Sequence, residues 1–177
     1  MPARRSQTAD FRSLQTALDF ATLARMKPRS PRLATRAIIL HQGRLLLVNA
    51  YGGQRSDLWC APGGGVEAGQ SLHDTLMREV AEECGLAVSV GALALVNEFH
   101  DPRSGFHQVE LFFRCAITDG RLDPQWRDPA GVVERRRFFA PGDLALIRLK
   151  PDSLPAVAFG DGAGAGAQYD PLEEIVP

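Results

Sequence analysis

Gly64-Gly65-Val66-Glu67-Ala68-Gly69-Gln70-Ser71-Leu72-His73-Asp74-Thr75-Leu76-Met77-Arg78-Glu79-Val80-Ala81-Glu82-Glu83-Cys84-Gly85-Leu86 runs a glycine-rich loop straight into a short helical segment. Ser71 with Asp74 makes an approximate capping box, and Gly85 is a natural left-handed stop, so a helix over about Ser71 to Cys84 is expected. At about 100° per residue, Leu72, Leu76, Val80 and Cys84 fall on one apolar stripe. Glu79 and Glu83 lie beside that stripe, with Glu82 further round. Like charges at i,i+4 repel, and desolvation near a buried edge adds to the cost. Positive charge has to offset the cluster. Arg78 supplies one unit, and a divalent cation supplies more. Mg²⁺ takes oxygen ligands, commonly carboxylates together with substrate phosphates. The glycines upstream let backbone approach those phosphates and let a carbonyl reach the metal. Taken alone, Glu79-x-x-Glu82-Glu83 reads better as a solvated acidic face balanced by Arg78. The Gly63-Gly64-Gly65-x-Glu67-x-Gly69 loop at a set distance before it favours a site.

Working outward, Ala37-Ile38-Ile39-Leu40 and Leu45-Leu46-Leu47-Val48 are expected as strands around the turn His41-Gln42-Gly43-Arg44. A loop follows from Asn49 to Asp57. Leu58 to Ala61 forms a short strand that delivers the chain to Pro62 and the glycines. Further strands are expected over Val88 to Phe99, Gln108 to Ile117 and Val132 to Phe139, with a short helix over Leu144 to Arg148. Before the strands, Phe11, Leu14, Leu18 and Ala21 mark an amphipathic helix over residues 10 to 26, which Lys27-Pro28-Arg29-Ser30-Pro31 interrupts. The expected organisation is therefore a helical extension over 1–30, a central domain over 31–152 and a tail over 153–177. The Gly/Ala tract Gly160 to Gly166 makes that tail flexible in expectation.

Composition limits the function classes. With 177 residues, 45% of them hydrophobic, the chain suits one domain plus extensions. A formal net charge of −1 argues against a dedicated nucleic-acid binder, and Arg135-Arg136-Arg137 reads as solvated surface. Cys60, Cys84 and Cys115 form no CxxC pair, which excludes the usual zinc spacing and points to reduced thiols in a cytoplasmic setting. No run approaches the roughly 18 apolar residues of a membrane span.

The segment resembles the Nudix (MutT-like) box, G-x5-E-x7-R-E-U-x-E-E-x-G-U. Gly64 fits the first position, and Arg78, Glu79, Val80, Glu82, Glu83, Gly85 and Leu86 fit the later ones. Trp59-Cys60-Ala61-Pro62-Gly63 resembles the usual approach to the box, and the strand pattern extends a weaker similarity over about 32 to 150. The resemblance implies an α/β fold, the Nudix α/β/α sandwich with a mixed β-sheet. One position departs: Gln70 stands where the pattern has glutamate, a carboxylate that in the family supports the metal site and pairs with the box arginine.

The resemblance further implies hydrolysis of a nucleoside diphosphate linked to another moiety, with Mg²⁺ or Mn²⁺ as cofactor and a small nucleotide as partner. Glu82 and Glu83 are then metal ligands and Glu79 a ligand or base. Arg78 orients them, and a carbonyl within Gly63 to Gly65 completes the shell. Outside the box, Glu98, His100, Asp101 and Glu110 are candidate bases, with Glu98 to Arg103 as the first cluster to test. Arg36 and Arg55 are candidate phosphate contacts. Trp59 and Phe106 are candidate base-stacking residues, although packing accounts for them as well. Pro102, 16 residues beyond Leu86, matches a proline often found in ADP-ribose hydrolases of the family. Many members form homodimers, and the sequence is neutral on that. Two other readings share the fold. One is a nucleotide-binding or regulatory module without turnover, for which Gln70 is the only support. The other is an isoprenoid diphosphate isomerase, whose catalytic cysteine and extra histidine ligands have no evident counterparts here.

Overall fold

The computed structural model describes residues 30–53, 55–160 and 166–176. The helix expected over 10–26, the extension to residue 29 and most of the Gly/Ala tract lie outside the described residues. Within them, strands β1 (Arg32–His41), β2 (Arg44–Asn49) and β3 (Trp59–Cys60) precede helix α1 (Leu72–Cys84). Then come β4 (Ala87–Asp101), β5 (Phe106–Asp119), β6 (Arg136–Phe139), a 3₁₀ turn (Pro141–Leu146), α2 (Leu154–Phe159), β7 (Gln168–Tyr169) and β8 (Glu173–Glu174).

The sheet is mixed, in the order β3-β2-β1-β5-β4-β7, with β6 also on β2 and β8 also on β4. β1 runs parallel to β5, while β4 and β5 form a long antiparallel hairpin. The apolar runs in β1 and β2 are continuous because both faces of these central strands are covered. Ala37, Ile39, Leu46 and Val48 face α1, whose Leu76, Val80 and Cys84 are buried against them. Ile38, Leu45 and Leu47 face the other way, onto Phe112, Phe139, Leu144, Leu154 and Val157. A sheet with helical layers on both faces is the expected α/β/α sandwich.

Helix α1 begins one residue after Ser71, whose hydroxyl oxygen accepts from the Asp74 N–H at 3.0 Å, and ends at Gly85 with φ 69°. Three boundaries differ from expectation. Strand β6 starts only at Arg136, because Asp128 and Asn49 side chains hold the N–H groups of 132–135 that a strand would otherwise use. The helix expected over 144–148 is the 3₁₀ turn, started by Pro141. Beyond residue 152 the chain is not simply a tail. Leu154, Val157 and Ala158 of α2 are buried in the core, and β7 and β8 add to the β4 edge. The apolar spacing of Leu154, Val157 and Ala158 places one face of this short helix against the sheet. No helix among the described residues is long and apolar enough to cross a membrane.

Candidate active site

The glycine loop is tied to β1 before any ligand arrives. Thr35 N–H donates to Gly64 O at 2.9 Å, Ala37 N–H to Pro62 O at 2.8 Å, and Val66 N–H to Leu33 O at 2.9 Å. This approach requires glycine. Gly63 has φ 138°, and a Cβ there would strike the Thr35 carbonyl, while one on Gly64 would overlap the Glu79 carboxyl. The loop therefore lies directly on the acidic turn of α1.

Glu79, Glu82 and Glu83 all line one cleft of about 420 Å³, together with the glycine loop, Arg32, Arg36 and Asp128. Arg78 forks between two of them, donating from Nη2 to Glu79 at 2.8 Å and from Nη1 to Glu82 at 2.9 Å. Glu83 accepts from the Gly63 N–H at 2.8 Å. Burial pushes the Glu83 carboxyl up to about 7, outweighing the attraction of Arg36 and the Gly63 hydrogen bond. Among the described residues no three His, Cys, Asp or Glu side chains stand together as a finished ligand set. Glu79 and Glu82 instead lean on Arg78. The donor set nonetheless fits a hard divalent cation: carboxylate oxygens from one helical turn, facing a loop that only glycine can form there.

Arg36 is committed to structure. Its Nε donates to Glu110 at 2.7 Å and its Nη1 to the Gly63 carbonyl at 2.8 Å. Burial alone would lower its pKa, but the carboxylates of Glu110 and Glu83 more than compensate. The Gly63 and Gly64 carbonyls thus already accept hydrogen bonds from β1. Gln70 accepts from the Thr75 hydroxyl at 3.1 Å and makes no bond to Arg78.

The other expected residues scatter. Glu98 accepts from Tyr169 at 3.0 Å and contacts His107 at 3.2 Å, and it does not line the cleft. His100 and Asp101 end β4, where Asp101 accepts from the Arg103 N–H of the following turn. Hydrogen bonds from Ser104 and Arg103 hold the half-buried Asp101 carboxyl below its usual range. Glu110 is buried and holds Arg36 and Gln108. Arg55 donates to the Gly52 carbonyl. Trp59 packs edge-on against Phe139 under the Arg135 guanidinium. Pro102 lies in the β4–β5 turn.

Sequence reasoning missed Arg32, which lines the carboxylate cleft and gives Nη1 to Gln108 at 2.8 Å. It also missed Asp128, whose oxygens cap the N–H groups of Ala130, Val132 and Val133. The Asp128-Pro129 dipeptide is a turn signal that could have drawn attention to it.

A family model for the NUDIX domain matches residues 30–158. The ADP-ribose pyrophosphatase of Methanocaldococcus jannaschii is 28% identical over 92 residues, 52% of this chain and 54% of that protein. Diphosphoinositol polyphosphate phosphohydrolase 3-alpha of Mus musculus is 30% identical over 91 residues, 51% of this chain and 52% of that protein. The chain spans about half the length of the curated relatives it matches. Among solved structures, an ADP-ribose pyrophosphatase of Streptococcus suis superposes with a TM-score of 0.59 at 24% identity. That match covers 80% of this chain and all of the other, and shows the shared fold.

Proposed function

The chain belongs to the Nudix family, and from that premise we propose that it is a pyrophosphohydrolase. Its substrate is a nucleoside diphosphate linked to another moiety, of the nucleoside triphosphate, ADP-ribose or nucleotide-sugar type. Nudix hydrolases generally need divalent metal ions, and Mg²⁺ or Mn²⁺ is the proposed cofactor. The observation that carries this reading is the lining of one cleft by Glu79, Glu82 and Glu83 against the glycine loop. The same relatives separate on substrate, since one is named for ADP-ribose and another for a diphosphoinositol polyphosphate.

Glu82 and Glu83 would hold the metal, which when bound neutralises charge on the pyrophosphate. The chain's own groups set up the rest. Arg78 orients Glu79 and Glu82 with a two-pronged fork. The Gly63 N–H fixes Glu83. Glu79, at the mouth of the loop, takes up a proton from attacking water if it is not a ligand. Arg32 has donors beyond the one given to Gln108, so it can hold a phosphate at the edge of the cleft. Arg36 positions the glycine loop rather than contacting substrate. Residues 1–30 are proposed as an extension outside the catalytic domain, and a homodimer is compatible with this reading.

The test is incubation of the protein with Mg²⁺ or Mn²⁺ and a panel of nucleotides, following release of phosphate-containing products. Turnover is expected for at least one class. Glu82→Gln and Glu83→Gln are expected to reduce kcat by about two orders of magnitude or more, with unchanged circular dichroism. Unaltered rates in either variant would contradict the assignment. Nucleotide binding without turnover of any panel member would favour a binding module instead.

A further inference from the structure

The carboxylate cleft is lined in part by the glycine loop, and it adjoins a second cavity of about 210 Å³ floored by the β4–β5 hairpin. A further part of its lining is the segment 128–133, which contributes Asp128, Ala130, Val132 and Val133. This wall belongs to no helix or strand. It is nonetheless stiff. The Asp128 carboxylate accepts from the N–H groups of Ala130 at 3.0 Å, Val132 at 2.9 Å and Val133 at 2.8 Å. Arg136 reaches back along it, donating from Nη1 to the Trp126 carbonyl at 2.9 Å and from Nη2 to the Val133 carbonyl at 2.7 Å. Residues 126 to 133 are therefore tied into one piece.

That piece is fastened near both ends. Close to its C-terminal end, Asn49 of β2 donates to the Val132 carbonyl at 2.8 Å and accepts from the N–H groups of Glu134 and Arg135. At its N-terminal end the fastening is made by Trp126. Its Nε1 donates to the Glu82 carbonyl at 2.8 Å. Its ring lies so close over Gly85 that a Cβ there would stand 2.8 Å from it.

Trp126 is 38% exposed, so little of the core depends on it. The place where it bonds is informative. The Glu82 carbonyl is among the last of α1, beyond the reach of the helix's own N–H groups. Glu82 is also one of the two carboxylates assigned to the metal. The wall is thus registered against the acidic turn of α1 at this end, and against the sheet at the other.

We propose that Trp126 is a positioning residue that sets the spacing between the 128–133 wall and the acidic turn of α1, and with it the width of the cleft in which a nucleotide sits. This rests on the nucleotide pyrophosphohydrolase reading for the cleft. Without the indole N–H the wall pivots about Asn49, and the opening changes most at Asp128 and Ala130, nearest the lost bond. No group assigned to the metal or to the attacking water lies on this wall, and the Asp128 oxygens are taken up by their own loop. The loss therefore falls on substrate affinity rather than on the chemical step.

The experiment compares the full chain with Trp126→Phe, which keeps a ring over Gly85 but has no donor. Steady-state kinetics are measured with Mg²⁺ and the nucleotide panel. Calorimetric titration with Mg²⁺ and α,β-methylene-ADP, whose P–C–P bridge is not hydrolysed, gives a Kd independent of turnover. KM and this Kd are expected to rise about tenfold, with kcat within about twofold of the parent. Gly85→Asn supplies a second route. Asparagine accepts the left-handed backbone of the helix stop, but its Cβ displaces the indole. It is expected to give the same pattern, and it decides the matter if Trp126→Phe fails to fold. A residue that only caps α1 would lower the melting temperature and leave KM and Kd alone. That result, or a loss confined to kcat, would overturn the proposal. Turnover by the parent with unchanged KM and Kd in the folded variants would remove this proposal and leave the enzymatic reading. Weakened α,β-methylene-ADP binding in the variants, with no turnover of any nucleotide by the parent, would do the reverse. A parent that neither binds nor turns over would remove both.

Discussion

Gly64 has no room for a side chain, because a Cβ there would overlap the Glu79 carboxyl. The obstacle is the end of a flexible side chain, so Gly64→Ala is expected to fold while displacing that carboxylate. A displacement on the ångström scale costs about 100-fold in rate when it misplaces a reacting or ligating group. Gly64→Ala should therefore show a large loss of kcat with a near-normal melting temperature, and unchanged turnover would contradict the placement of Glu79. Glu83 makes a second test in the metal-free protein. Its carboxyl is pushed up to about 7 from the ordinary 4.5. Between those values the folded state holds a proton that the unfolded chain has released, so stability falls as pH rises through this window. Glu83→Gln should remove that fall. Metal-free Glu83→Gln should gain stability relative to the parent between pH 4.5 and 8, as followed by urea denaturation at each pH. A parallel pH dependence in the two proteins would show that the Glu83 carboxyl is not held above its ordinary range in the folded state.

Helix α1 is held by its ends and by one face. Ser71 receives the Asp74 N–H, and Gly85 closes the last turn onto Ala81 O at 2.9 Å. Leu76 is 0% exposed, beneath the turn that carries Glu79. Leu76→Ala removes four heavy atoms' worth of packing, less the one retained as methyl, and is expected to cost about 2–5 kcal/mol by urea denaturation. At permissive temperature the folded fraction should retain activity, since no carboxylate is lost. Glu82→Gln should behave oppositely, with stability kept and rate lost. This contrast separates the face of α1 that supports the sheet from the face that borders the cleft.

At the scale of the molecule, the C-terminal strands close one side of the second cavity. Ile175 N–H donates to His100 O at 2.8 Å, Asp170 N–H to Val96 O at 2.9 Å, and Tyr51 OH to Val176 O at 3.0 Å. Lys150 ties this segment to the body through Glu173 at 2.8 Å, with a second contact to Asp152. These pairs are partly solvated, so Lys150→Met is expected to change global stability by less than about 1 kcal/mol. Its effect should be local: faster amide exchange at Asp170 and Ile175 with little change in the β4–β5 hairpin. Unchanged exchange at both amides would show that the backbone ladder alone holds these strands.

Local sequence determined helix α1, its Ser71 cap and Gly85 stop, the acidic turn, the loop before it and the central strands. Each is encoded by neighbours within about a dozen residues, through capping chemistry, glycine freedom and the spacing of apolar side chains. The surroundings of Arg36, Asn97 and Glu98 were decided only by the tertiary structure. Arg36 meets Glu110 across 74 residues because β1 lies parallel to β5. Asn97 reaches a cavity because the β4–β5 register sets it on the same face as Glu110. Glu98, on the opposite face of the same strand, is taken up by Tyr169 and His107. Strand pairing and register depend on contacts far apart in the chain, and a shift of one residue would exchange the two faces. The residues that line the carboxylate turn were therefore legible from one segment, while those that shape the neighbouring cavity became visible only once the sheet was assembled.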